Sequence, residues 1–288
     1  MGRIKGSTQL TCIIGSPVDH SKSPYMHNLA FEKLGLDYAY MAFDIKEGSL
    51  KQGVDGLRTL NVRGFNITMP HKQEVMKYLD KIEEDAKLIG AVNTVLNNNG
   101  KLIGYNTDGK GFIKSLEERN VKYIDEKIVI IGAGGAAKAI AIELALKGVK
   151  NIVIVNRTLE KAEAISHTIN KNIEGSESRS LVLDEKLLKE ELKDASILIN
   201  TTSVGMGDSI DKNIIKNEDT LHKDLFVADL IYNPVKTKFL SMAEEKGCRI
   251  MNGLDMLVYQ GALVFKIWTG ADMPVEVMKK MEKGNLIE

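Results

Sequence analysis

The stretch Lys127–Ala137, KIVIIGAGGAA, limits the fold more than any other part of the chain. An apolar run of strand composition, Lys127–Ile131, leads straight into a glycine cluster, and a helical pattern follows. Gly132, Gly134 and Ala137 fill the G-x-G-x-x-A spacing. Gly132 lets the chain turn sharply out of a strand, Gly134 lets backbone approach a pyrophosphate, and Ala137 lets helix and strand pack closely. The helix then starts with free N–H groups and its positive dipole end at the phosphates. With Lys127–Ile131 as a buried strand, Ala136–Lys147 as a helix and Asn151–Val155 as a second buried strand, the pattern is a βαβ unit of the expected size. It predicts dinucleotide binding at Gly132, Ala133, Gly134, Gly135 and Ala136. The alternative is a tight strand-to-helix turn with no ligand.

A chain of 288 residues holds one large or two ordinary domains. Its 39 basic and 39 acidic residues cancel. No net field draws in nucleic acid or an acidic membrane, and neither is expected as a partner. Cys12 and Cys248 are the only cysteines and lie far apart, so neither a disulfide framework nor a zinc site is expected. The N-terminus lacks the apolar core of a signal peptide. No apolar run approaches a membrane span. A cytoplasmic protein, monomeric or homodimeric, is the expectation.

Strands and helices alternate from end to end, which predicts α/β architecture with mainly parallel sheets. Thr11–Gly15 reads as a strand, followed by the loop SPVDHSKSP. Ser23 is placed to cap a helix that has Pro24 in its first turn and runs to about Leu34. Tyr38–Asp44 and Gly64–Met69 read as strands, Gly48–Leu60 and Gln73–Leu79 as helices, and Ala91–Leu96 with Lys101–Tyr105 as a hairpin around Asn97–Gly100. Asn106–Gly111, NTDGKG, reads as a hinge into a second domain. There the pattern predicts helices at Phe112–Arg119, Leu159–Asn170, Lys186–Leu192 and Val235–Lys246. It predicts strands at Leu181–Leu183, Ser196–Asn200, Leu225–Leu230 and Cys248–Met251. A second crossing is expected at Asn252-Gly253, before helices at Asp255–Trp268 and Val275–Glu282 that pack back on the first domain. Residues 1–107, completed by 254–288, then form one domain and residues 108–253 the other. A ligand is expected in the cleft between them, at the carboxyl ends of strands.

Polar residues gather where the strands of the first domain end. Ser21 and Ser23 offer two hydroxyls beside helix N–H groups, a site for a small carboxylate or phosphate, although Ser23 as a plain cap is the simpler reading. Alternation sends Asn66 and Thr68 to one face of their strand, and Lys72 emerges after Pro70. His71 reads as a surface or structural residue. Asn93 and Asp108 bracket the hairpin, with Asp108 also a natural turn residue. Tyr232-Asn233-Pro234 follows a buried strand, and Gln260 interrupts an apolar helix, where its amide needs a partner.

The segments SPVDHSKSPYMHN, GFNITMPHK, GAVNTV, GYNTDG, IGAGGAAKA, NRT, NTTSVGM, DLIYNP and GLDMLVYQGALVFKIWTG occur in that order. Together they make the chain resemble the shikimate dehydrogenase family, including its quinate/shikimate dehydrogenase branch, from about Cys12 to Val277. The resemblance implies an N-terminal α/β substrate domain and a Rossmann dinucleotide domain. It implies reversible hydride transfer between NADP(H) and the 3-position of shikimate, giving 3-dehydroshikimate, in chorismate and aromatic amino acid biosynthesis. By the same resemblance Ser21 and Ser23 match the serines that hold the substrate carboxylate, with Tyr232 near it. Thr68, Lys72, Asn93, Asp108 and Gln260 match residues around the ring hydroxyls, and Lys72 with Asp108 matches the catalytic pair. Cofactor contacts are expected also from Thr202, Leu230 and Gly253.

The chemistry suits these roles. Oxidising an alcohol requires hydride to leave carbon while a proton leaves oxygen, and the protein must handle the proton. No metal is required. A free lysine has a pKa near ~10.4, and a neighbouring carboxylate favours its charged form. Relay and electrostatic clamp therefore both remain open for the pair. Asn156-Arg157-Thr158 stands where NAD-preferring sites carry an acidic residue. The Arg157 guanidinium matches a 2′-phosphate, with Thr158 and Lys161 in reach, so NADP is the expected cofactor. The alternative for Arg157 is a surface pair with Glu160. Tyr38–Asp44 and the C-terminal stretch resemble the branch that also uses NAD, which leaves dual use open. From another functional class, a ligand-sensing regulator would keep the fold without turnover, but binding alone does not require Lys72 and Asp108.

Overall fold

The computed structural model describes residues 4–274, 276, 277 and 280. The chain divides into two units, one of residues up to Thr107 and from Val258 onward, the other Asp108–Leu257. The expected helix Val275–Glu282 lies largely outside the described residues. No helix among them is long and apolar enough to cross a membrane.

The first unit holds β1 (Gln9–Gly15), α1 (Ser23–Leu34), β2 (Tyr38–Asp44), α2 (Leu50–Thr59), β3 (Gly64–Ile67), β4 (Lys81–Ile82), α3 (Glu84–Ile89), β5 (Thr94–Asn98) and β6 (Lys101–Tyr105). The sheet order is β2-β1-β3-β5-β6-β4. β1 pairs in parallel with β2 and β3, and β5 runs antiparallel to both β3 and β6. Successive residues of β1 point to opposite faces. Cys12 and Ile14 join Leu50, Val54, Phe65 and Ile67 in one buried cluster. Ile13 joins Met26, Phe31, Tyr40, Phe265 and Trp268 in the other. Both faces are covered, which is why β1 carries the continuous apolar run Cys12–Ile14 instead of alternating. The free edge of β2 is blunted by Asn28, whose amide accepts the Tyr40 N–H at 2.8 Å and donates to the Tyr40 carbonyl at 2.9 Å.

The second unit holds α4 (Asp108–Glu118), β7 (Lys127–Ile131), α5 (Gly135–Leu146), β8 (Asn151–Asn156), α6 (Leu159–Asn172), β9 (Glu177–Val182), α7 (Glu185–Leu192), β10 (Ile197–Asn200), β11 (Phe226–Asp229), α8 (Lys238–Glu245) and β12 (Arg249–Met251). Its strands are all parallel, in the order β12-β11-β10-β7-β8-β9. This is the doubly wound dinucleotide-binding order, and its switch point falls between β7 and β10. α9 (Leu254–Thr269) runs through the second division of the chain. From Val258 its apolar side packs on α1 and β2, and the Trp268 indole donates to the Val95 carbonyl at 3.0 Å.

Several expected boundaries shift for physical reasons. Ser23 is the first residue of α1 and not its cap; its N–H is taken by the Ser21 hydroxyl at 3.3 Å. Gln73–Leu79 forms only a 3₁₀ turn over Glu74–Tyr78, because the chain re-enters the sheet at Lys81. β4 and α3 went unpredicted: two residues of strand and six of helix are too short to show a period. The hairpin loop is just Asn99-Gly100, both at positive φ (53° and 87°), which extends β5 to Asn98. α4 starts at Asp108, so of NTDGKG only the buried Asn106 and Thr107 stay outside the helix. α8 starts at Lys238 and not Val235, because the Thr237 hydroxyl takes the Leu240 N–H as a cap.

Candidate active site

In the first unit two of the expected substrate residues, Asn93 and Gln260, share one polar network. Asn66 is buried in β3. Its amide donates to the Asn93 carbonyl and the Thr94 hydroxyl, both at 3.1 Å, and accepts the Tyr40 hydroxyl at 2.8 Å. Asn93 precedes β5. Its Oδ1 accepts the Thr107 N–H at 2.9 Å and the Thr94 hydroxyl at 3.0 Å, while Nδ2 donates to the Thr107 hydroxyl at 3.0 Å. These bonds fix which end of the Asn93 amide faces which way. Thr107 also donates to Gln260 Oε1 on α9 at 3.4 Å. Asn93 and Gln260, far apart in sequence, thus share one hydroxyl.

Thr68 follows β3 and lies over Gly15, where an added Cβ would come within 2.2 Å of its methyl group. Lys72 is half-buried, and its carbonyl accepts the Val92 N–H at 2.8 Å, next to Asn93. His71 is buried, not on the surface, and its ring contacts the Ile45 carbonyl. The Tyr40 hydroxyl has its pKa raised well above the usual tyrosine range, chiefly by burial, with Ser23 pulling it partly back. Asp108, at the start of α4, and Tyr232 belong to the second unit. Burial raises the pKa of Tyr232.

In the second unit the glycine turn leaves β7 as the spacing requires. Gly132 has φ 114°, and a Cβ there would lie 2.2 Å from the Thr201 hydroxyl oxygen. Only glycine satisfies both conditions. Gly134 is the N-cap of α5 and supplies no side chain, so the first N–H groups of the helix keep room for an anion. Nothing lies within 4 Å of where side chains at Gly134 and Gly135 would begin. Asn156 ends β8, and its amide donates to the Thr158 carbonyl at 2.8 Å. Arg157, Thr158 and Lys161 are exposed. Arg157 forms no ion pair with Glu160 or with any other described residue. Leu230 and Gly253 touch: a Cβ on Gly253 would fall 1.9 Å from the Leu230 carbonyl oxygen. These features fit a phosphorylated dinucleotide.

Two buried residues here escaped the sequence reading. Asn200, at the end of β10, accepts both the Thr202 N–H (3.0 Å) and its hydroxyl (2.8 Å), and donates to Asp229 at 3.1 Å. Asp229, at the end of β11, also accepts the Ile231 N–H at 3.1 Å and the Thr237 hydroxyl at 2.6 Å. Burial raises the Asp229 pKa to about 6 against the pull of these donors. A carboxylate ending the apolar strand FVAD was the available signal. Tyr40, Thr94 and Thr107 gave none, since hydroxyls in strands and loops are commonplace.

Three family models match the chain. Residues 13–95 match the shikimate dehydrogenase substrate binding domain, residues 115–232 the shikimate / quinate 5-dehydrogenase model, and residues 253–280 the shikimate 5'-dehydrogenase C-terminal domain. A shikimate dehydrogenase (NADP(+)) of Alkaliphilus metalliredigens is 52% identical, covering 97% of this chain and 98% of that protein. The solved shikimate 5-dehydrogenase of Listeria monocytogenes, in complex with shikimate and NAD, is 44% identical with a TM-score of 0.94 over 98% of each chain. A shikimate dehydrogenase solved with NADP+ is 46% identical with a TM-score of 0.91, over 99% of this chain and 98% of that one.

Proposed function

Because the chain belongs to the shikimate dehydrogenase family, we infer that it catalyses the reversible NADPH-dependent reduction of 3-dehydroshikimate to shikimate. The step belongs to chorismate and aromatic amino acid biosynthesis. The observation that carries this reading is 52% identity, across nearly the whole length of both chains, to a shikimate dehydrogenase (NADP(+)).

In this reading the nicotinamide carries the hydride, and the chain's own residues bind, orient and move the proton. Ser21 and Ser23 hold the substrate carboxylate, with Tyr232 near it. Thr68, Asn93 and Gln260 hold ring hydroxyls, and the shared Thr107 hydroxyl supports this by fixing the Asn93 and Gln260 amides. Lys72 and Asp108 take the proton from the reacting hydroxyl on oxidation and return it on reduction. Gly132 to Ala136 with Thr202, Leu230 and Gly253 receive the pyrophosphate and nicotinamide side of NADP. Asn156, Arg157, Thr158 and Lys161 receive its phosphorylated ribose. Arg157, exposed and without an ion pair among the described residues, supports a preference for NADP+. The reading extends to a cytoplasmic monomer or homodimer, which a larger mass in sedimentation would overturn.

The test crosses shikimate and quinate with NADP+ and NAD+ and follows absorbance of the reduced nicotinamide. Shikimate with NADP+ should give the highest kcat/KM. Arg157→Ala should lower the NADP+ over NAD+ preference by roughly 10–150-fold, the worth of one charge-assisted contact. A wild type that prefers quinate and NAD+ is instead the dual-specificity enzyme, and no turnover with any pair points to the regulator.

A further inference from the structure

We propose that Asp229 and Asn200 form a positioning pair that sets cofactor affinity by fixing the Thr201–Val204 turn against the glycine turn at Gly132. The proposal rests on the dinucleotide reading of this unit. Three parallel strands, β7, β10 and β11, end side by side at the switch point. Their ends are tied by side chains as well as by the sheet. The Thr201 hydroxyl donates to the Ile131 carbonyl at 2.8 Å, one residue before Gly132, and leaves no space for a side chain there. The next residue, Thr202, donates both its N–H and its hydroxyl to Asn200 Oδ1, and its oxygen accepts the Val204 N–H at 3.2 Å. The Thr202 hydroxyl is therefore occupied in shaping the turn.

Asn200 can accept both bonds only if its amide is turned with Oδ1 toward Thr202. Asp229 enforces that orientation, because a carboxylate accepts the Nδ2–H at 3.1 Å and would repel the carbonyl oxygen. Neither residue is exposed, at 0% and 1%, so neither touches a cofactor except through what it holds. The remaining bonds of Asp229 go to Ile231 N and the Thr237 hydroxyl, on the side of α8. A buried carboxylate with only neutral donors is costly to keep.

The experiment measures NADP+ and NAD+ dissociation constants by fluorescence quenching, the KM for shikimate, and the unfolding midpoint, for Asp229→Ala, Asn200→Ala, the double variant and Thr237→Val. Asp229→Ala and Asn200→Ala should each weaken both cofactors about tenfold, the scale of one lost buried hydrogen bond. The NADP+ over NAD+ ratio and the shikimate KM should stay within about twofold. The double variant should be no worse than either single variant, because the pair acts as a unit. Thr237→Val breaks the bond on the far side of the carboxylate; it should lower stability and leave both dissociation constants in place. Variants that unfold earlier but bind both cofactors normally overturn the proposal, and so do losses that add. A wild type that binds neither cofactor overturns the dinucleotide reading itself. If Asp229→Ala fails to fold, Asn200→Ala alone decides.

Discussion

Lys72 and Asp108 are single residues on which turnover depends in the proposed reading. Lys72→Ala should lower kcat by roughly 10²–10⁴, the usual scale for a positioned proton-transfer group, with little change in KM. Asp108→Asn should do the same, and the double variant should be no slower than the worse single one. Steady-state kinetics with shikimate and NADP+ check this; full activity in either variant removes the pair. Ser21→Ala and Ser23→Ala should act differently, because a carboxylate contact does not change during the reaction and is lost equally from ground and transition states. Each should raise the shikimate KM by about 10–150-fold, the worth of a charge-assisted hydrogen bond, and spare kcat. A collapse in kcat at constant KM would remove them from the carboxylate. The sequence signalled these four residues through their motifs. It did not signal that Lys22, not Ser23, takes the N-cap position, or that the Ser21 hydroxyl accepts the Ser23 N–H.

At the scale of elements, the turn between β7 and α5 is the most demanding local structure in the second unit. Gly132→Ala meets both a positive φ and the Thr201 hydroxyl oxygen at 2.2 Å. It should cost about 2–4 kcal/mol of unfolding free energy, from backbone strain and overpacking together, and should weaken NADP+. Urea unfolding of the variant checks the figure; a loss under ~0.5 kcal/mol would show that the turn relaxes freely. That turn was legible because its geometry is a property of a few consecutive residues. The Asn99-Gly100 hairpin was legible for the same reason. β9 was not: only its end, Leu181–Leu183, carries an apolar signal, while the observed strand begins at Glu177 on the sheet edge, where polar side chains are tolerated. The 3₁₀ turn at Glu74–Tyr78 has the apolar spacing of a helix, and the need to enter β4 cuts it short.

At the scale of the molecule, His27 in one unit and Asp229 in the other are buried titratable groups whose effects on stability have opposite sign. His27 is enclosed by Phe31, Tyr40, Phe265 and Trp268, and burial lowers its pKa from 6.5 to about 3. Below pH 6.5 the unfolded chain takes up this proton and the folded one does not, so stability falls with pH through that window. Asp229 has its pKa raised from 3.8 to about 6. Its contribution is fully present below 3.8 and is lost as pH rises through 6. His27→Phe should remove about 3 kcal/mol of the stability lost by the wild type between roughly pH 7.5 and 4.5, at ~1.4 kcal/mol for each pH unit over which only the unfolded chain holds the proton. Asp229→Asn should remove about 2 kcal/mol of the change in the opposite sense. Urea titrations at both pH values read this, and slopes parallel to wild type would show that neither group is held as described.

The chain by itself determined its class, the two strands that flank the glycine turn, and that turn. Those depend on short-range rules: side-chain period, the φ that glycine allows, and the composition of a buried strand. Tertiary structure alone decided that β10 lies beside β7 and β11 beside β10, and that Asn93 and Gln260 share the Thr107 hydroxyl. It also decided that Asp229, Asn200 and Thr202 form one chain of hydrogen bonds. The reason is physical. A buried polar atom must find a partner, but its chemistry does not specify which. The partner is whatever the packing of distant apolar faces brings within about 3 Å, and no local pattern of residues records that outcome.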